Sequence, residues 1–234
     1  LESDLAYELI ENDIPFALAT TNGFSAHIQA VIGFNKQVGT LYVMDPSQPI
    51  MQEMLTKETI ASEGYSGARC IVFVPSEKSN LLSKYSFPAS ELYPLWDSYS
   101  VAEEKNDYLA AKAALAKLKA IAPEHRITLR VDRSFAAWNN DTTNILELNN
   151  KLLSKYKSET LLLNSKYFCL RDLGKRDEGL TMLSDYLEKN VDLDLLGTLF
   201  DQVYDTNEQS KLTTQSLHQL KELGSYSAYS PWSI

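Results

Sequence analysis

Along residues 2 to 12, "ESDLAYELIEN", Leu5, Leu9 and Ile10 recur at helical spacing, which predicts a short amphipathic helix. The period then changes. "IPFALAT" (14–20), "SAHIQAVIGFN" (25–35), "GTLYVMD" (39–45) and "ARCIVFVP" (68–75) are short, apolar and β-branched, bounded by Asn-Gly, Gly39 and Pro75. They predict strands, three in one meander and a fourth that returns after "PIMQEMLTKETIAS", a stretch with a helical pattern. Within "SAHIQAVIGFN", alternation puts His27, Gln29, Val31 and Gly33 on one face, and Ala26, Ile28, Ala30, Ile32 and Phe34 on the other.

"SEKSNLLSKYSFPAS" is polar and contains a proline, and predicts a linker. Everything beyond it has helical spacing. The expected division is a sheet-bearing domain over 1–76, a linker over 77–88 and a helical domain over 89–234. The predicted fold class is α+β: a helix and a small antiparallel sheet, followed by an all-α array of helical hairpins.

That array rests on an internal period. Asn106-Asp107-Tyr108 is followed 34 residues later by Asn140-Asp141-Thr142, and after another 34 by Gly174-Lys175-Arg176, with a weaker turn expected near Glu208. The same offset aligns Leu95, Leu129 and Leu163 in the first helix of each copy, and Leu118, Leu152, Tyr186 and Leu220 in the second. The best copy is "NDYLAAKAALAKLKAIAP", with Ala111 at a small position, Leu115 at a large one and a closing Pro123. A 34-residue helix-turn-helix unit of this kind resembles the tetratricopeptide repeat. Later copies depart from it, with Ile145 and Thr213 at the small position and Tyr167 at a small site of a first helix. The resemblance implies stacked hairpins with a groove that takes a peptide or protein partner. The alternative is an array that serves only as scaffold.

Composition narrows the partners. With 234 residues and 44% hydrophobic content, the chain can bury a sizeable core. Its net charge of −9 argues against nucleic acid or an anionic membrane as partner, since both require clustered Lys and Arg. No apolar run approaches the roughly 20 residues of a membrane helix. The chain opens at Leu1 in sequence of mid-domain character, which leaves room for a leader upstream. Its two cysteines, Cys70 in "RCIVFV" and Cys169 in "YFCL", have apolar neighbours and are expected to be small buried hydrophobes. Neither CxxC, HExxH, Walker loop nor GxGxxG occurs, so no cofactor or metal is expected.

Chemistry enters with His27 and Asp45. A hairpin closed near Lys36 to Gly39 would bring Asp45 to the end of the ladder that carries His27. A carboxylate there can orient an imidazole and stabilise its protonated form, and such a base can activate a thiol. The stretch "IENDIPFALAT…AHIQAVIGFNKQVGTLYVMDP" resembles the back half of papain-like cysteine peptidases of the bacteriocin-processing (double-glycine leader) and related bacterial type, over about residues 2 to 75. The resemblance implies that His27 is the general base and Asp45 its orienting partner. It also implies that Gly33-Phe34-Asn35 ends the histidine strand and that Asn12-Asp13-Ile14-Pro15 makes the turn leading into the sheet. In that family the nucleophilic Cys, with a Gln shortly before it, lies on an earlier helix, which here would precede Leu1. Cys70 sits in a predicted strand and does not match it. Two functions stay open: a cysteine peptidase whose thiol lies outside these residues, and a non-catalytic interaction scaffold on a silent peptidase fold. Acyl or amide transfer on a similar triad, as in transglutaminase-like relatives, is a third. His125 and His218 are expected to be surface or interhelical residues, and Trp96, Trp138 and Trp232 core or stacking residues.

Overall fold

A computed structural model describes residues 2–22, 25–61, 69–87 and 89–204. The chain divides into two compact units, Leu1–Thr128 and Leu129–Ile234.

The first unit opens with helix α1 (Ser3–Glu11), then β1 (Phe16–Asn22), β2 (Ser25–Asn35), β3 (Thr40–Met44), β4 (Met51–Leu55), helix α2 (Thr56–Ala61) and β5 (Arg69–Val72). The five strands form one antiparallel sheet in the order β4-β3-β2-β1-β5. The meander therefore has four strands, and the returning strand pairs with β1. The helical expectation over "PIMQEMLTKETIAS" is corrected in its first half. Ile50, Met51, Met54 and Leu55 have helical spacing, yet Met51–Leu55 pairs with β3 from Met44↔Met51 to Thr40↔Leu55. Pairing satisfies backbone groups that β3 would otherwise leave at an open edge. Thr40 Oγ1 adds a hydrogen bond to Glu53 Oε1 at 2.5 Å across the same ladder.

The core around the sheet is one of its faces closed by α1. Ala6, Tyr7 and Leu9 pack with Phe16, Leu18, Val31, Leu41 and Val43. Alternation along β2 breaks once, at a bulge between Val31 and Gly33. A β-carbon at Gly33 would lie 2.7 Å from Tyr42 Cδ2, so any larger residue would force the Tyr42 ring to shift. Beyond the bulge Phe34 joins the core side, its ring 5.0 Å from that of Tyr7, and so leaves the face that strict alternation assigned to it. Ile28 and Ile32 remain on the opposite face, 53% and 49% exposed. The stretch expected as a linker over 77–88 begins within a 3₁₀ segment over Ser76–Lys84.

Helices α3 (Leu92–Glu104), α4 (Tyr108–Ile121), α5 (Arg126–Trp138), α6 (Thr142–Lys155), α7 (Thr160–Asp172), α8 (Arg176–Leu187) and α9 (Leu193–Tyr204) follow. First helices start at Leu92, Arg126 and Thr160, and second helices at Tyr108, Thr142 and Arg176, so the 34-residue period of the sequence is a period of the structure. The same turn recurs in each hairpin. Asn106, Asn140 and Gly174 all take positive φ, at 55°, 55° and 75°. Each following residue donates its N–H to a carbonyl five residues back: Asp107 to Ala102, Asp141 to Ala136, Lys175 to Leu170. With the second bonds Asn106 to Glu103, Asn140 to Ala137 and Gly174 to Arg171, this is a Schellman motif three times over. Asp107 and Asp141 then cap the next helix, accepting from the N–H of Ala110 and Asn144. Lys175 has no side-chain cap.

Of the aligned apolar positions, Leu118, Leu129, Leu152 and Leu163 are buried, and Leu95 and Tyr186 are half-buried. Leu220, Thr213, His218, Trp232 and the turn near Glu208 lie outside the described residues. In the α7–α8 hairpin the large residue sits on α7 and the small one on α8. Tyr167 is fully buried, and a β-carbon at Gly179 would come within 2.8 Å of its Cδ2.

Two stability predictions follow from these hairpins. Gly179→Ala should destabilise the protein: overpacking costs about 1–3 kcal/mol, offset in part by about 1 kcal/mol of helix propensity. A rise in the thermal midpoint would show that the Tyr167 ring can move aside. Asp141→Ala should cost about 1 kcal/mol through the lost cap, read by chemical denaturation, whereas Lys175→Ala should leave the midpoint unchanged.

Candidate active site

His27 and Gln29 lie two residues apart on β2, and their side chains point to the core face of the sheet alongside Val31. The ladder with β3 pairs Ala30 with Met44 and Val31 with Val43, so the chain leaves β3 at Asp45 next to Gln29 and His27. Asp45-Pro46 then turns the chain, with Gln48 N–H donating to the Asp45 carbonyl at 3.0 Å.

This turn and this strand converge on one carboxylate. Ser47 donates to Asp45 Oδ1 through its backbone N–H at 2.8 Å and its hydroxyl at 2.6 Å. His27 Nε2 and Gln29 Nε2 both bond to Oδ2, at 2.8 and 2.9 Å. Each oxygen thus accepts two hydrogen bonds. Asp45 and Gln29 are buried, while the His27 side chain is 38% exposed. The Ser47 hydroxyl, the His27 bond and the Ser47 amide hold the Asp45 carboxyl well below the usual carboxylate range, against the opposing effect of burial. An ionised carboxylate can only accept, so His27 Nε2 carries the proton of this bond. In the neutral imidazole Nδ1 then holds a free lone pair. The structure therefore brings together the two residues that the sequence singled out, in an arrangement suited to general-base chemistry.

Gln29 and Ser47 were not recognised as site residues from the sequence. The signal for Gln29 was its place two residues from His27 on the same predicted face. For Ser47 it was the Asp-Pro-Ser turn, in which an Asp side chain commonly binds the amide two residues on. The other residues carried by the resemblance have local structural work. Asn35 Oδ1 accepts from the N–H groups of Gln37 and Val38 and shapes the β2–β3 turn. Asn12 ends α1 and Asp13 adopts positive φ, letting Ile14 N–H return to the Leu9 carbonyl.

Neither cysteine is suited to be the nucleophile. Cys70 is half-buried in β5 and burial pushes its thiol up to about 12. Cys169 is buried in α7 and burial raises its thiol as well. Both are free, as expected of small core residues. His125 Nδ1 accepts from the Ile127 N–H at 3.3 Å and so serves the start of α5. Among the described residues no cluster of His, Cys, Asp or Glu could hold a metal ion, and no helix is long and apolar enough to cross a membrane.

The second unit has a cavity of about 390 Å³ between α5, α6 and α7, of mixed apolar and polar lining that includes Arg133, Ile145, Asn164, Ser165, Phe168 and Asp172. Arg133 is held from behind, with Nε on Asn149 Oδ1 and Nη2 on Ser165 Oγ, both at 2.7 Å. Asn149 is fully buried and also donates to Ser165 Oγ at 3.0 Å. The buried Oδ1 of Asn164 has no hydrogen-bond partner among the described residues.

The Asp45 pair predicts a signed pH dependence. Because the folded-state value lies below the ordinary 3.8, its contribution to stability is full above that value and shrinks progressively as pH falls from it toward the lowered one. Denaturation of wild type and Asp45→Asn between about pH 5 and pH 2 should show wild type more stable at the upper end, with the gap closing at the lower. A gap independent of pH would overturn this account of the carboxylate.

Compared with protein-family models, curated protein sequences and solved structures, the chain matches none of them.

Proposed function

We propose that the sheet-bearing unit carries the base half of a papain-like cysteine-peptidase centre, and that its nucleophile is a cysteine other than Cys70 and Cys169. The observation that carries this reading is the 2.8 Å bond from His27 Nε2 to an Asp45 carboxylate saturated with donors, on a side chain that still reaches solvent. In the reaction His27 Nδ1 takes the thiol proton as sulfur attacks the amide carbonyl carbon. The C–N bond breaks, the amine leaves with the proton from His27, and water hydrolyses the thioester. Asp45 stays ionised throughout and stabilises the imidazolium formed in between.

The hairpins are read as degenerate tetratricopeptide-like repeats that bind a peptide or protein. The cavity beside Arg133 supports this, since Arg133 is preorganised by Asn149 and Ser165 and keeps donors to spare. The unpartnered Asn164 Oδ1 beside it suits a backbone N–H of a bound chain.

A second reading, a non-catalytic interaction scaffold on the same fold, is favoured by one observation. The sheet face opposite the core leaves Ile28, Ile32, Met44 and Met51 substantially exposed.

The test uses the complete natural protein with a mixture of fluorogenic peptides. His27→Ala should lower kcat/KM by about 10²–10⁴-fold and leave the fold largely intact. Cleavage unchanged by that substitution would sink the peptidase reading. A wild-type protein without turnover, and whose thiols react with iodoacetamide no faster than free cysteine, would select the scaffold.

A further inference from the structure

Asp45 is held by two kinds of neighbour that differ in what they can fix. Ser47 is two residues away in the same turn and holds Oδ1, so it moves with Asp45. Rotation about the Cβ–Cγ bond, a torsion with a broad minimum, moves both oxygens, so Ser47 restrains it only within the latitude of its own two bonds, and that latitude lets Oδ2 drift from the line of the imidazole. Gln29 acts from another strand. Its Nε2 lies 2.9 Å from Oδ2, the oxygen that His27 uses, and the side chain is only 6% exposed. It also stands two residues from His27 on the same face of β2, so the two donors share one rigid backbone.

The placement is costly unless it serves a purpose. Gln29 sits on the core face in line with Val31, where an apolar side chain would add burial without needing a partner. Its bond to Asp45 supplies the partner that a buried amide requires.

We infer that Gln29 is a positioning residue: it pins Asp45 Oδ2 from the histidine strand, and so fixes the ring of His27 with Nε2 as donor and Nδ1 free. The inference rests on His27 acting as the base of the proposed centre, but its test does not require turnover. Ser47 holds one oxygen of the carboxylate from within its own turn, and Gln29 fixes the other from the histidine strand.

The experiment is proton NMR of the full chain with 15N-labelled histidine. The chain has three histidines, and His27→Ala identifies the His27 Nε2–H signal by its loss. Wild type should show that signal downfield and slow to exchange. Gln29→Met preserves length and burial but removes the donor, and should speed exchange of the His27 proton by about tenfold or more, the factor expected for losing one buried hydrogen bond. The same signal and exchange rate in folded Gln29→Met would overturn the inference. Ser47→Ala, at an exposed position, keeps the question open to measurement should Gln29→Met fail to fold. With Gln29 in place its His27 signal should stay protected, and acceleration there would assign the positioning to Ser47 instead. A protected, Gln29-dependent proton in a protein without peptidase activity would uphold the inference and sink only the peptidase reading.

Discussion

The register of β2 against its neighbours governs both the core and the site of the first unit. Ala30 lies opposite Met44 and Val31 opposite Val43, while beyond the bulge Gly33 lies opposite Tyr42. A slip by one residue would send His27 and Gln29 to the exposed face and bring Ile28 inward, because side chains alternate with a period of two. The register is held from both ends. On one side Phe16 meets Val31, and Phe16, Leu18 and Val43 close over α1. On the other the bulge lets Phe34 reach Tyr7, and Gly33, having no β-carbon, leaves room for the Tyr42 ring across the ladder. The hydrogen bond between His27 and Asp45 is therefore the end point of apolar packing several residues away.

The helical hairpins are specified by local means. At each turn one residue must take positive φ, and Asn, Asn and Gly supply it at the least steric cost. The aspartates that follow two of them satisfy an orphan N–H of the next helix. The middle copy then differs inside. Where α7 carries Tyr167 against Gly179, the positions one period earlier hold Arg133 and Ile145. An arginine in that place cannot be left unpaired. Asn149 and Ser165 satisfy it, and the cavity opens beside this network. The polar site of the helical unit thus arises where the repeat breaks its own packing rule.

Much of this was legible in the sequence, and for a physical reason. β2 was delimited at Ser25–Asn35 because period-two alternation and flanking turn residues are local signals. The 34-residue period was legible because the turn chemistry repeats with it, and the pairing of His27 with Asp45 followed from the length of one hairpin. β4 was missed because Ile50, Met51, Met54 and Leu55 follow the helical period, and the strand is decided by the unpaired edge of β3 beside it. Gln29 and Ser47 were missed because their role depends on which atoms of Asp45 they reach. Strand alternation fixes a face, not a hydrogen-bond geometry.

The geometry around His27 also constrains the thiol it would serve. With Cys70 pushed up to about 12, its thiolate at neutral pH is on the order of one molecule in 10⁵. A nearby base cannot recover that population while the sulfur stays packed against the core with Leu18 and Val72, because the cost is desolvation of the anion itself. A useful sulfur must sit where an anion is favoured, at a helix N-terminus or against the imidazolium. The starts of the described helices hold no cysteine, and Cys169 lies toward the end of α7. The division of labour is then clear. On the proposed reading, this sheet contributes a base whose ring is oriented by Asp45, and the thiol it serves would have to reach His27 from its solvent-facing side.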